Sequence, residues 1–134
     1  MKVTKCEVLK LETSEDIVRV RLTVRAWMKA QDFSLVDQTK MVTAASELAR
    51  NAVDYGGGGT ACMEALVDGE RSGIRLIFED HGAGIPDIAL AMTDGFTTAG
   101  GLSLGLGGSK RLVNEFKIGS QPGKGTRVAV TRWK

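Results

Sequence analysis

Several short stretches of this chain carry residue types that suit nucleotide chemistry. Asp80-His81-Gly82-Ala83-Gly84-Ile85-Pro86 follows an alternating run, Ile74, Leu76 and Phe78, that predicts a strand. A carboxylate at a strand end can accept a hydrogen bond from the exocyclic amine of a nucleobase. The glycines after it, lacking Cβ, let backbone approach a flat ring. Asp-x-Gly also makes ordinary turns after strands, so the stretch gains its weight from its neighbours.

A second group lies on a helix. Between Ser34 and Tyr55, the residues Met41, Val42, Ala45, Leu48, Ala49, Ala52 and Val53 fall on one face at 100° per residue. Thr43, Glu47, Arg50, Asn51 and Asp54 fall on the other. Glu47 and Asn51 are four apart, so their side chains stack. A carboxylate above a carboxamide offers oxygens to a hard divalent ion and a base to a hydroxyl or water. A solvated helix face with no chemistry has the same composition.

A third group is Gly100-Gly101-Leu102-Ser103-Leu104-Gly105-Leu106-Gly107-Gly108, which enters a predicted helix over Leu104 to Phe116. Unpaired amides at a helix start bind phosphate, and glycines let it come close; a plain loop is the other reading. No strand feeds this loop directly, against a dinucleotide fold, and Gly108-Ser109-Lys110 has the wrong order for a Walker loop. Last, Gly123-Lys124-Gly125-Thr126 makes a hairpin turn that can bring the Thr126 hydroxyl beside Asp80.

The elements that must hold these groups are legible. All 17 glycines follow Tyr55, so regular structure comes first and loops second. Residues 3 to 11 read as a strand. Thr13 with Asp16, and Ser34 with Asp37, open two helices. The first presents Ile17, Val20, Val24, Trp27 and Met28; the second is stopped by Gly56 to Gly59. Thr60 to Val67 and Gly73 to Glu79 form a hairpin through Asp68 to Ser72. Pro86 to Gly101 reads as a loop with about one helical turn. Phe116 to Ser120 and Thr126 to Trp133 close the fold. This order predicts an α+β fold, a two-layer α/β sandwich with a mixed, mostly antiparallel sheet and helices on one face.

At 134 residues the chain reads as one domain, long enough to bury a core without disulfides. A net charge of +2 gives no footing for nucleic acid or an anionic membrane, so an anion must be held by local geometry. Cys6 and Cys62 read as buried free thiols of a reducing compartment, without a metal-ligand partner at useful spacing. Lys2, Lys5, Glu7 and Lys10 leave no apolar signal segment, and a cytoplasmic location is expected.

Taken in order, Glu47-Leu48-Ala49-Arg50-Asn51, Asp80-x-Gly82-x-Gly84, Gly105-x-Gly107 and Gly123-x-Gly125-Thr126 resemble the motif set of the GHKL (Bergerat) ATP-binding superfamily, over nearly the whole chain. The resemblance implies ATP and Mg²⁺ as cofactors. Asn51 would hold Mg²⁺ and Glu47 would be the general base. Asp80 would take the adenine amino group, with Gly82, Gly84 and Ile85 shaping its pocket and Thr126 completing it. Gly105, Leu106 and Gly107 would lie under the phosphates, with Gly100, Gly101 and Leu102 in the lid, which spans about residues 86–107. Arg50 has two readings: a phosphate or substrate contact, or a surface ion pair with Glu47 or Asp54.

Within the superfamily the chain is similar to the small bacterial switch-protein serine/threonine kinases and anti-sigma factors. No transducer region is expected, and its one histidine, His81, sits inside the Asp80 motif rather than on a dimerisation helix. The runs Thr43 to Asn51, Glu79 to Ile88 and Asp94 to Leu102 are most like the stressosome switch kinases. The absence of a basic residue between Pro86 and Ser109 fits that branch better than the anti-sigma one. The branch implies phosphorylation of serine or threonine on STAS-domain proteins, followed by binding to a phosphatase. Sequestration of a partner such as a sigma factor, gated by nucleotide, is the other reading. Gly95-Phe96-Thr97-Thr98 is a candidate partner contact, or Phe96 packs inward.

Overall fold

The computed structural model describes residues 1–95 and 104–134. The chain runs β1 (Lys2–Leu11), α1 (Ser14–Ala30), α2 (Leu35–Arg50), a π-helical turn (Asn51–Tyr55), β2 (Gly59–Asp68), β3 (Arg71–Asp80), α3 (Ile88–Ala91), α4 (Leu106–Arg111), β4 (Glu115–Gln121) and β5 (Gly125–Trp133). The five strands form one sheet in the order β1-β2-β3-β5-β4. Every pairing is antiparallel, so the sheet is not mixed.

Local chemistry sets the helix starts. Thr13 Oγ1 accepts from the Asp16 amide at 3.3 Å, and Asp16 Oδ2 accepts from the Thr13 amide at 3.1 Å, closing a capping box on α1. Ser34 Oγ accepts from the Asp37 amide at 3.1 Å to start α2. The Asp37 carboxylate then accepts from Arg132 Nη2 at 2.6 Å, tying the start of α2 to β5.

Strand alternation builds the core. Ala61, Met63 and Ala65 on β2, Ile74, Leu76 and Phe78 on β3, and Val128 and Val130 on β5 are buried. Ile17, Val20, Val24, Trp27 and Met28 of α1 and Met41, Ala45, Leu48 and Ala49 of α2 cover them. Each large side chain buried here contributes about 1.5–3 kcal/mol. Trp27 is a core residue, whereas Trp133 is only part-buried, with the Arg71 guanidinium 3.9 Å from its ring centre.

Four local expectations are corrected. The helix predicted over Leu104 to Phe116 is confined to Leu106–Arg111. Asn114 ends it, because its amide donates to Thr131 O at 2.9 Å and its side chain accepts from the Trp133 amide at 2.7 Å, which draws Phe116 into β4 opposite Val130. The β2–β3 turn is only Gly69-Glu70, since the ladder continues to Asp68 opposite Arg71. The second helix does reach Tyr55, but its last turn widens to π geometry. The cysteines are not buried: Cys6 is exposed and Cys62 half-buried, on the sheet face away from the helices. Among the described residues, no helix is long and apolar enough to cross a membrane.

Candidate nucleotide site

A small, narrow pocket opens between the end of α2, the end of β3 and the start of α4. Its walls are apolar: Leu48, Ala52, Phe78, Ile85, Leu104, Leu106 and Val128. Its polar groups are few: Asn51, Tyr55, Asp80 and Thr126. An apolar slot with a few convergent polar groups suits a flat heterocycle with one hydrogen-bonding edge.

Strand register brings two of these groups together. Asp80 is the last residue of β3 and lies directly across from Thr126 on β5. Asp80 Oδ1 accepts from the Gly82 amide at 3.0 Å, which holds the carboxylate in place at the strand end. Behind it sits Gly56, where a Cβ would lie 2.3 Å from Asp80 Cγ. The glycine that stops the helix is therefore also the wall against which Asp80 packs.

The turn after Asp80 is held by two side chains. Gly84 has φ +77°, and a Cβ there would lie 2.2 Å from Gln121 O, so only glycine fits. Tyr55 Oη donates to Gly84 O at 2.9 Å. Ser120 Oγ accepts from the Ile85 amide at 2.7 Å and lies 2.8 Å from Thr126 Oγ1. Ser120 also donates to Gly125 O at 3.0 Å. One hydroxyl on β4 thus connects the Asp80 turn to Thr126.

The other half of the site lies along α2. Asn51 lines the cavity, and its Nδ2 donates to Leu104 O at 2.6 Å. That bond commits the amide nitrogen and leaves the carboxamide oxygen as an acceptor. One turn earlier, Glu47 lines a neighbouring open groove with Thr43, Gly105, Ser109 and Arg111. Gly105, at φ +62°, forms the partition: a Cβ on it would lie 2.8 Å from Glu47 Oε2. Arg50 Nη1 pairs with Glu47 Oε1 at 3.2 Å, which is the ion-pair reading of Arg50. Gly107 packs against the Met92 carbonyl, and Arg111 pairs with Asp94 at 3.0 Å, which joins α4 to the segment after α3.

The structure therefore brings Asn51, Asp80, Ile85, Leu106 and Thr126 around one cavity, with Gly82 and Gly84 in the turn after Asp80, whereas Gly105 and Gly107 flank Leu106 and line the adjoining grooves. Glu47 and Arg50 stand outside, at the adjoining groove. Gly100, Gly101 and Leu102 lie outside the described residues, as do Phe96, Thr97 and Thr98. Tyr55, Gly56 and Ser120 were not legible as site residues. Tyr55 has a signal, since it follows Asn51 by four on the same helix; Ser120 has none, because its contacts depend on strand register.

The family model described as histidine kinase-, DNA gyrase B-, and HSP90-like ATPase matches residues 36–134. The serine/threonine-protein kinase RsbT of Bacillus subtilis is 44% identical over 93% of this chain and 94% of its own. An anti-sigma F factor of a Thermoanaerobacter species is 30% identical over 92% of this chain and 89% of its own. Among solved structures, the RsbU and RsbW domains of a Mycobacterium tuberculosis protein superpose with a TM-score of 0.64 at 22% identity, covering 98% of this chain and 33% of that one. The nucleotide-free catalytic domain of the histidine kinase ThkA superposes at 0.54 with 15% identity, covering 98% and 95%. Those two likenesses concern the fold. The chain belongs to the histidine kinase-, DNA gyrase B-, and HSP90-like ATPase family, the GHKL group that its motifs resemble, and ATP is the nucleotide that this family binds.

Proposed function

We propose that the protein is a serine/threonine-protein kinase that phosphorylates STAS-domain partners in a bacterial partner-switching module of the stressosome type. The observation that carries this reading is the position of Glu47. Its carboxylate stands at an open groove, one helical turn from Asn51 and against Gly105, where a hydroxyl on another protein can reach it. A base buried inside the cavity would serve water or a small molecule instead. The 44% identity to a serine/threonine-protein kinase over nearly both full lengths supports the same activity.

In this reading Asp80 and Thr126 hold the adenine edge, and the apolar walls exclude water from the ring. Leu104, Gly105 and Leu106 carry the phosphates past Asn51 toward the groove. Glu47 accepts the proton of the partner's serine or threonine hydroxyl as that oxygen bonds to the γ-phosphorus, and ADP leaves with the electrons of the broken P–O bond. The carboxamide oxygen of Asn51 is a hard donor, and Mg²⁺ takes one or two protein ligands beside phosphates and water, so the residue fits that ion. When bound there, Mg²⁺ supplies charge neutralisation on the phosphates. Arg50 holds Glu47 in place through their ion pair.

Incubation with labelled ATP, Mg²⁺ and the STAS proteins encoded nearby tests this. Label should pass to a serine or threonine of one partner, and Glu47→Ala should abolish transfer while nucleotide still binds. Transfer that persists in the Glu47 variant would remove the base assignment, and no transfer to any partner would remove the kinase reading. The 30% identity to anti-sigma F factors favours a second reading, a nucleotide-gated module that sequesters a sigma factor. ATP-dependent retention of a sigma factor without phosphotransfer would select it. A phosphatase bound after the transfer step is the downstream partner expected in the first reading.

A further inference from the structure

The sheet face turned away from the helices carries both cysteines. Cys6 lies on the edge strand β1 directly across from Glu64 of β2, and Cys62 lies across from Val8. The cysteines are thus diagonal neighbours, with their Sγ atoms 3.8 Å apart. One carboxylate oxygen of Glu64 joins them, and the three atoms lie within 4.8 Å of one another. No other such group of three converges among the described residues. Arg75 Nε donates to Glu64 Oε1 at 2.6 Å, which fixes the carboxylate and offsets part of its charge.

The sulfur separation is that of two thiols in contact. A disulfide would bring the sulfurs to about 2.05 Å. A tetrahedral ion with metal–sulfur bonds of about 2.3 Å sets its two sulfurs about 3.8 Å apart. The observed spacing is that of the edge of such a tetrahedron, with no strand movement required. The carboxylate supplies a third corner, and the exposure of Cys6 leaves water free to take the fourth.

We propose that Cys6, Cys62 and Glu64 form a binding site for a thiophilic d¹⁰ divalent cation of the zinc class, remote from the nucleotide cavity. Bound there, the ion clasps β1, an edge strand whose only partner in the sheet is β2, to the rest of the sheet. Arg75 acts as the outer partner that orients the carboxylate.

Titration of the reduced, metal-stripped full chain with Zn²⁺ by calorimetry should give one site per chain. Co²⁺ as an optical probe should give the bands of a tetrahedral ion with thiolate charge transfer. Cys6→Ser, at an exposed position where folding is not at risk, should weaken Zn²⁺ at least about tenfold, and Glu64→Gln about tenfold, within the range for lost ligands and outer partners. Absence of binding, or binding equal in wild type and Cys6→Ser, would overturn the site. So would an octahedral Co²⁺ spectrum without charge transfer. Ready air oxidation to a Cys6–Cys62 disulfide in a protein that takes up no Zn²⁺ would replace it with a redox pair.

Discussion

The carboxamide of Asn51, at the end of α2, donates to the carbonyl oxygen of Leu104, at the entry to α4, across 2.6 Å. This single bond joins two segments 53 residues apart and orients the carboxamide, whose oxygen has no hydrogen-bond partner among the described residues. In the proposed kinase, Asn51 would act on nucleotide in two ways, through Mg²⁺ and through the placement of Leu104 and Gly105. Asn51→Ala should weaken ATP at least about tenfold with Mg²⁺ present, a loss of about 1.4 kcal/mol or more. It should also weaken ADP measurably in EDTA, where no metal contributes. Calorimetry under both conditions separates the two roles; an EDTA affinity equal to wild type would leave only the metal role.

Gly56 offers a substitution that strikes Asp80 alone. Its φ of −84° suits any residue, so alanine brings no backbone strain, but the new methyl would lie 2.3 Å from Asp80 Cγ and 2.6 Å from Asp80 Cβ. The short Asp80 side chain cannot bend around it. Overpacking of this kind costs about 1–3 kcal/mol. Gly56→Ala should keep the helical circular dichroism of wild type and lose at least about tenfold in adenine-nucleotide affinity. Unchanged affinity would show that Asp80 does not carry the base edge.

Ser120 is expected to be a positioning residue. Removing its hydroxyl leaves the Ile85 amide unpaired and frees Thr126 Oγ1 from its neighbour. An unsatisfied buried donor costs about 1–3 kcal/mol, to be read in urea unfolding. Nucleotide affinity should fall for adenine compounds through the loosened Asp80 turn, whereas Ser120→Thr should restore part of it. Equal affinity for Ser120→Ala and wild type would reduce the network to a structural role.

Much of this arrangement is legible in the sequence, for local reasons. Thr13 with Asp16 and Ser34 with Asp37 fix the helix starts, and both caps form. The α2 stripe from Met41 to Ala52 is buried, because helical periodicity and burial obey the same geometry. Asp80 and Thr126 meet because one ends a strand and the other begins its partner. The misses are non-local. The α4 helix is cut short by Asn114 bonding to β5, a competition no local pattern records. β1 reads as a strand from Val8, Leu9 and Leu11, but its place at the sheet edge, which exposes Val8 and Cys6, is not in that pattern. Ser120 and Gly56 act through register and close approach, which appear only when strands and helix ends are assembled.

The start of α1 makes folding sensitive to acid. The Asp16 carboxylate is almost inaccessible and accepts from the Glu12 amide at 2.9 Å, the Thr13 amide at 3.1 Å and Arg19 Nη1 at 2.7 Å. The Glu12 amide, with help from Thr13, Arg19 and Lys10, holds its pKa below the usual carboxylate value, against the opposing effect of burial. In the unfolded chain these partners are gone, and the group takes up a proton near about pH 3.9. The unfolded state therefore binds the proton more readily, and the contribution of Asp16 is full above that pH and disappears as pH falls through the lowered native value. Asp16→Asn keeps an acceptor oxygen but loses the charge, so its Tm should lie below wild type at neutral pH. The two melting curves should converge as pH falls below the usual carboxylate value, where the wild-type carboxylate takes up its proton as well. Thermal melts across that range check it, and a Tm difference that stays constant with pH would assign the role of Asp16 to capping geometry instead of charge.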